Sequence, residues 1–282
     1  MNKKVIIASD STCDLGADLI ARYGIQIVPL SVNLGDKIYT DGVDIDPDMI
    51  YSHYEKAREL PKTAAPNVLD FQTFYQKYTD EGFAVVMFTI SAEMSSTYNN
   101  ARLAALDFED VYAVDGRNLS TGGGLLVLHA AELAAQGKSA AEIAEECRSM
   151  TPLVDASFVI DNLEFLHKGG RCSTLAALGA NLLQLKPCIS VSDGKMSVGK
   201  KYRGKFAVVL KKYIEDRIGD GEGIRKNRVF VTHAGCDEAI VTQCVDQVKA
   251  LGLFDEVLIT RAGCTVSAHC GRNTLGVLFV RS

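Results

Sequence analysis

The chain predicts an α/β fold divided into two α/β domains. Residues 1–152 are expected to hold a mostly parallel sheet flanked by helices, and residues 153–282 a mixed sheet with helices. Three observations carry this. Short apolar runs alternate with amphipathic stretches of helical period, as in strands joined by helices. The run over 83–90 is almost continuously apolar, as a strand covered on both faces must be. Past Pro152 the pattern changes and a hairpin signal enters, which places a boundary there.

The elements follow in order. Residues 5–9 read as a buried strand; Ser11 and Thr12 are candidate caps for a helix over 15–23 that Gly24 stops. A second strand is expected over 25–32. Asp41 to Asp48 reads as a solvated acidic loop, and Pro47 suits the first turn of a helix running to about Glu59. Pro66 is expected to open the next helix, with Val68, Phe71, Tyr75 and Tyr78 on one face. After the 83–90 strand come a helix over 96–106, a strand over 111–114, an Ala- and Leu-rich helix from Thr121 to near Gly137, and a helix over 140–150. The second half reads as a strand over 158–160, a short helix over 162–167 and an apolar helix over 175–185. A hairpin of 187–191 and 196–202 turns at Asp193-Gly194. An amphipathic helix over 205–217, strands over 229–232, 256–260 and 275–280, and a helix over 238–251 complete the chain. Residues 264–272, which include His269, read as a polar loop.

Composition excludes several classes. With 47% apolar residues and a net charge of −5, the chain is neither disordered nor a typical nucleic-acid binder. No apolar run reaches the roughly 18 residues needed to span a bilayer, and the apolar stretch near the start is too short for a secretion signal. A cytoplasmic location is expected. None of the eight cysteines forms a C-x-x-C pair, so they read as reduced, mostly buried packing residues, and no metal site is expected.

Some patterns approach familiar chemistry and miss it. Gly194-x-x-x-x-Gly199-Lys200 lacks the Ser or Thr that completes a phosphate-binding loop. Gly122 to Gly124 lack dinucleotide-binding spacing, and helix entry with close packing accounts for them. The acidic loop with Asp41, Asp44, Asp46 and Asp48 fits no calcium-loop spacing. Ser9 to Asp14, at the carboxyl end of the first strand, either face a ligand crevice or cap the next helix. Two further hydroxyl segments, one around Thr63 and one from Ser91 to Thr97, each precede a helix, where they serve as caps or as an anion site. Ser95 with His269 and an Asp is a candidate hydrolytic triad, although the G-x-S-x-G elbow is absent. Lys200, Lys201, Arg203 and Lys205 form a basic strip suited to an acidic partner or to solvent.

Taken in order, these segments resemble the DegV family of bacterial fatty-acid-binding proteins. Ser9-Asp10-Ser11-Thr12 with Asp14-Leu15 resembles its S-D-S-T-x-D-L. Lys62-Thr63-Ala64-Ala65-Pro66 resembles K-T-S-Q-P, and the segment from Ser91 to Asn99 resembles S-S-x-L-S-G-T-Y-N. Asp115 with Gly122-Gly123, Leu163 to Arg171, Lys186-Pro187, Tyr202 to Lys205 and His269-Cys270-Gly271 resemble later motifs of the family. The resemblance implies two α/β domains closing a buried acyl tunnel that binds a long-chain, palmitate-like fatty acid, with no separate cofactor. It implies a carboxylate held by Thr63 and Ser95, with Ser11, Ser91, Arg171 and His269 as further ligand-binding candidates. It also implies a non-catalytic carrier that, in some members, presents the acid to an ATP-dependent fatty acid kinase, with Arg203 and Lys205 docking the partner. The alternative is a serine hydrolase acting on acyl esters through Ser95 and His269. Ala64-Ala65, Met94, Ser96 and Arg272-Asn273 depart from the family pattern.

Overall fold

The structure, a computed structural model, describes residues 3–175 and 185–282. Its first sheet is parallel. Strands β1 (Val5–Asp10), β2 (Gln26–Val28), β6 (Ala84–Thr89) and β7 (Val111–Asp115) lie in the order β2-β1-β6-β7. Every residue of β6 is buried, and the alternation along it divides two cores. Val85 and Met87 pack with Phe71, Tyr75 and Ala101 of helices α3 (Val68–Asp80) and α4 (Thr97–Ala105). Val86 and Phe88 face α5 (Thr121–Ala135) and α6 (Ala140–Met150), while α1 (Ala17–Tyr23) supplies Leu19 to the same cluster. The continuous apolar reading of 83–90 has its cause in these two helical layers.

The second sheet is mixed. Strands β8 (Val154–Ile160), β9 (Lys186–Ser192), β10 (Lys195–Tyr202), β11 (Arg228–Ala234), β12 (Glu256–Arg261) and β13 (Thr274–Val280) run in the order β10-β9-β8-β13-β11-β12. Only β11 and β12 pair in parallel. One face, with Val229, Val231, Leu275, Val277 and Phe279, packs on α8 (Phe206–Ile218) and α9 (Glu238–Ala250). The opposite face sends Ala156, Phe230, Leu278 and Val280 into the cluster that holds α5. Helix α5 is therefore buried over most of its surface, with Leu125 to Leu128 all buried and only the His129–Glu132 face charged, because both sheets contribute to the core around it. Its glycines allow that approach: a Cβ on Gly124 would lie 2.9 Å from the Cys13 carbonyl oxygen, and one on Gly122 would lie 3.2 Å from Ala156 Cβ.

Several boundaries differ from the sequence expectation. The strand expected over 25–32 splits, because Pro29 has no N–H for a ladder: β2 ends at Val28 and β3 (Ser31–Leu34) joins another sheet. That small antiparallel sheet has the order β4-β3-β5, with β4 (Lys37–Thr40) and β5 (Lys62–Ala64). The Gly35-Asp36 pair between β3 and β4 was its available signal, with Gly35 at φ +57°. Thr63 thus sits on a strand, and α3 begins past Pro66 with Asn67 and Asp70 as its capping box. Helix α2 (Pro47–Ala57) starts at Pro47 as expected, and α7 (Glu164–Gly169) covers most of the short helix read over 162–167. The apolar helix expected over 175–185 falls almost wholly on residues 176–184, outside the described residues. The Asp193-Gly194 hairpin forms with both residues at positive φ, 50° and 79°, as a type I′ turn requires.

The acidic loop is not uniformly solvated. Asp41 is buried and accepts hydrogen bonds from Ser11 Oγ (2.9 Å), the Cys264 N–H (2.9 Å), the Thr265 N–H (3.1 Å) and Thr265 Oγ1 (2.6 Å). It caps a helix the local sequence did not reveal, α10 (Cys264–Cys270), where a polar loop was expected. The cap comes from across the chain, so no capping residue stands next to the helix itself. Replacing Asp41 by Ala takes the acceptor from four donors, three of them buried. The expected cost is roughly 3 kcal/mol or more, since each buried donor left unsatisfied costs about 1–3 kcal/mol. Thermal melts of D41A should fall by about 6–12 °C; a shift under 2 °C would refute this role for Asp41.

Candidate functional site

A cavity of about 420 Å³ lies where β5, α10, the segment before α4 and the β9–β10 hairpin meet. At roughly 30 Å³ per water molecule it exceeds an ordinary buried-water site many times over. Thr63, Ser95, Arg171 and His269 line it together with Leu30, Ile90, Met94, Leu119, Met196 and Val266. Leu119, Val266 and Cys270 also border a narrower space of about 30 Å³ beside it.

Each polar group is placed by its element. Thr63 stands opposite the fully buried Val32 on β3, and cross-strand partners share a face, so its hydroxyl points inward. Its Oγ1 lies 2.9 Å from Nε2 of His269 on α10. Ser95 ends a tight turn in which the Met94 and Ser95 N–H groups donate to the Ser91 carbonyl. Ser95 Oγ pairs with Thr97 Oγ1 at 2.8 Å and accepts from the Thr97 N–H at 3.3 Å, so this hydroxyl both lines the cavity and caps α4. Arg171, exposed beyond α7, donates to the Gly169 carbonyl at 2.6 Å.

Among the described residues His269 has no carboxylate partner. Its Nδ1 is buried with no hydrogen-bond partner among the described residues. Burial first, and the Arg171 charge second, push its pKa down to about 4, so the imidazole is neutral at neutral pH. Behind the site, burial pushes Asp10 up to about 6 and Asp14 up to about 8. Asp10 accepts from the Thr12 and Ile90 N–H groups, and Asp14 from Ser120 Oγ and the Gly263 N–H.

Of the six ligand-binding candidates singled out from the sequence, four line the cavity and two do not. Ser11 Oγ donates to Asp41 and accepts from the Leu30 N–H, so it braces the loop behind the site. Ser91 Oγ donates to the Gly194 carbonyl and accepts from the Glu93 N–H. The triad reading finds no relay among the described residues: Ser95 bonds Thr97, His269 bonds Thr63, and no Asp reaches the ring. Arg203 and Lys205 are exposed around the β10–α8 junction, away from the cavity lining. The apolar walls, drawn from both halves of the chain, carried no sequence signal that separates them from ordinary core. Among the described residues no group of three or more His, Cys, Asp or Glu is placed to hold a metal, and no helix is long and apolar enough to cross a membrane.

A mostly apolar cavity with hydroxyls and an imidazole on its wall, set in an α/β frame, has the chemistry of a site for an amphipathic small molecule. Comparison with known proteins narrows the class. The model of the uncharacterised-protein DegV family matches residues 4–282, and the chain belongs to that family. A DegV domain-containing protein of Clostridium acetobutylicum is 32% identical over 280 residues, covering 99% of each chain. Among solved structures, a DegV family protein from Thermus thermophilus, described as binding fatty acid, superposes with a TM-score of 0.92 at 31% identity over the whole of both chains. A stearic-acid-binding protein from Eubacterium ventriosum superposes at 0.83 with 26% identity, covering 99% of this chain and 98% of its own.

The His269 environment has a measurable consequence. Its pKa of about 4 in the fold lies below the ordinary histidine value of 6.5. The unfolded chain therefore binds more protons between those values, and this contribution to stability is complete above pH 6.5 and lost as pH falls towards 4. The slope reaches at most about 1.4 kcal/mol per pH unit. Chemical denaturation from pH 7 to 4 should show wild type losing more stability than His269→Gln; parallel curves would refute the assignment.

Proposed function

We propose that this protein binds a long-chain, palmitate-like fatty acid in the cavity, with the carboxylate held by the Thr63 and Ser95 hydroxyls. One observation carries the reading: the two hydroxyls singled out from separate segments line the same cavity, and the rest of its wall is largely apolar. The fatty acids named for the Thermus and Eubacterium proteins support it.

The energetics fit. Burying some fourteen methylenes at about 0.8 kcal/mol each contributes on the order of 11 kcal/mol before ordering costs. The tail thus supplies most of the affinity. A carboxylate taken from water without donors is strongly disfavoured. Thr63, Ser95 and the free N–H groups that open α4 answer that need, and Arg171 brings a positive charge to the same wall. In this reading residues 1–152 carry the carboxylate-binding loops and residues 153–282 close the acyl tunnel. The protein acts as a carrier rather than a catalyst, with the fatty acid as its ligand and no further cofactor. Arg203 and Lys205, exposed on one side of the molecule, are the docking residues for an ATP-dependent fatty acid kinase that takes the presented carboxylate.

Solvent extraction of the purified protein followed by mass spectrometry should recover stoichiometric fatty acid. Protein that neither carries nor takes up an acyl chain would overturn the proposal. The double variant Thr63→Ala, Ser95→Ala should bind at least about 100-fold more weakly, since each bond to a carboxylate is worth about 1.5–3 kcal/mol and 1.4 kcal/mol is tenfold. Unchanged affinity would remove their assigned role. With a kinase partner supplied, Arg203→Ala should slow acyl phosphorylation and leave acyl binding intact; equal rates would exclude the docking role.

A further inference from the structure

We propose that Ser91 and Arg117 are positioning residues for the acyl cavity, clasping the tip of the β9–β10 hairpin so that Met196 is held in the wall formed with Met94 and Leu119. The inference rests on the fatty-acid reading of that cavity.

The hairpin needs such a clasp. Strand β10 is the edge of the second sheet, and β9 pairs with β8 only from Cys188 to Ser190. Residues 191–196 run beyond that pairing and, among the described residues, have no strand partner outside the hairpin itself. Their tip reaches two segments of the first half instead. Ser91 Oγ donates to the Gly194 carbonyl at 2.7 Å, and Arg117 Nη2 donates to the Asp193 carbonyl at 2.8 Å. Lys195 Nζ lies 3.4 Å from Glu93 Oε2. Asp115 Oδ1 accepts from both the Ala92 N–H and the Arg117 N–H, so the two receiving segments are themselves tied together.

The fit is close. Gly194 is buried at φ +79°, and a Cβ on it would lie 2.6 Å from Ser91 Oγ. Arg117 holds φ +44°, a conformation sparsely populated outside glycine, which marks a backbone over-determined by its surroundings. Each clasped residue stands a few positions from the cavity wall: Ser91 before Met94 and Ser95, Arg117 before Leu119, Gly194 before Met196. Met94, Leu119 and Met196 share one apolar cluster. The clasp therefore sets the spacing of that wall without touching the cavity. Two hydrogen bonds and two solvent-exposed ion pairs, Lys195 with Glu93 and Arg117 with the Asp193 carboxylate at 3.8 Å, form a fastening weak enough to open transiently. Opening loosens the wall around the acyl chain while leaving the Thr63–His269 contact in place.

The test compares wild type with Ser91→Ala, Arg117→Ala and their double variant, with Arg117→Lys as the conservative control and Glu93→Gln as a mild surface variant. Hydrogen exchange at residues 191–196 is read without ligand, and dissociation of the fluorescent probe cis-parinaric acid is read by stopped flow. The double variant should exchange tenfold faster at the tip and release the probe about tenfold faster, with tolerance shifted towards branched chains over palmitate. Arg117→Lys should recover most of the effect, and Glu93→Gln should speed release two- to threefold. Probe release within twofold of wild type in the double variant, whatever the exchange data show, overturns the clasp alone. If the double variant does not fold, Glu93→Gln decides: wild-type release there overturns the clasp. Wild-type protein that takes up no acyl probe overturns the fatty-acid reading and this inference with it.

Discussion

The site depends on two buried aspartates that fasten the start of α10. Asp41 receives the Cys264 and Thr265 N–H groups, and Asp14 receives that of Gly263. A seven-residue helix is too short to be stable by itself, so its existence and direction follow from these bonds. They come from the first half of the chain and hold a segment of the second half against β3 and β5. His269 faces Thr63 because α10 is held there. The same bonds draw Ser11 into the bracing network, which is why its hydroxyl is unavailable to a ligand.

Electrostatics around the cavity follow from burial. The His269 imidazole is kept neutral by desolvation and by Arg171, so before a ligand arrives the wall carries donors and one exposed guanidinium rather than a buried ion pair. Such a wall suits a single carboxylate, because the compensating charge stands on an exposed arginine and the hydroxyls need no change of protonation. It does not suit acyl transfer: a serine nucleophile needs a base within reach, and here the serine and the histidine each bond a different threonine. The substitution of Ala64 and Ala65 for the polar pair of the family pattern also makes this part of the wall more apolar.

Much of the architecture was legible because its causes are local. The buried strand β6, the α6 boundaries at Ala140 and Met150, Pro47 at a helix start and the Asp193-Gly194 turn all obey rules that act within a few residues. Errors arose where partners are distant. Pro29 breaks one apolar run into strands of two sheets, and α10 lacks a neighbouring cap because Asp41 supplies it from far along the chain. The glycines that open α5 were correctly read as packing devices, but the surfaces they admit, Cys13 and Ala156, belong to separate parts of the fold.

The sequence by itself determined the α/β class, most elements and, through motifs in a fixed order, membership of the DegV family. It also marked three hydroxyl segments, around Ser11, Thr63 and Ser91 to Thr97, but not Thr265, which lines the cavity too. Only the tertiary structure decided which of those hydroxyls line the cavity. Thr63 and Ser95 do, whereas Ser11 serves Asp41 and Ser91 holds the hairpin tip. The reason is physical: a residue's type fixes that it can donate a hydrogen bond, but its acceptor is set by whichever distant segment packing brings within 3 Å.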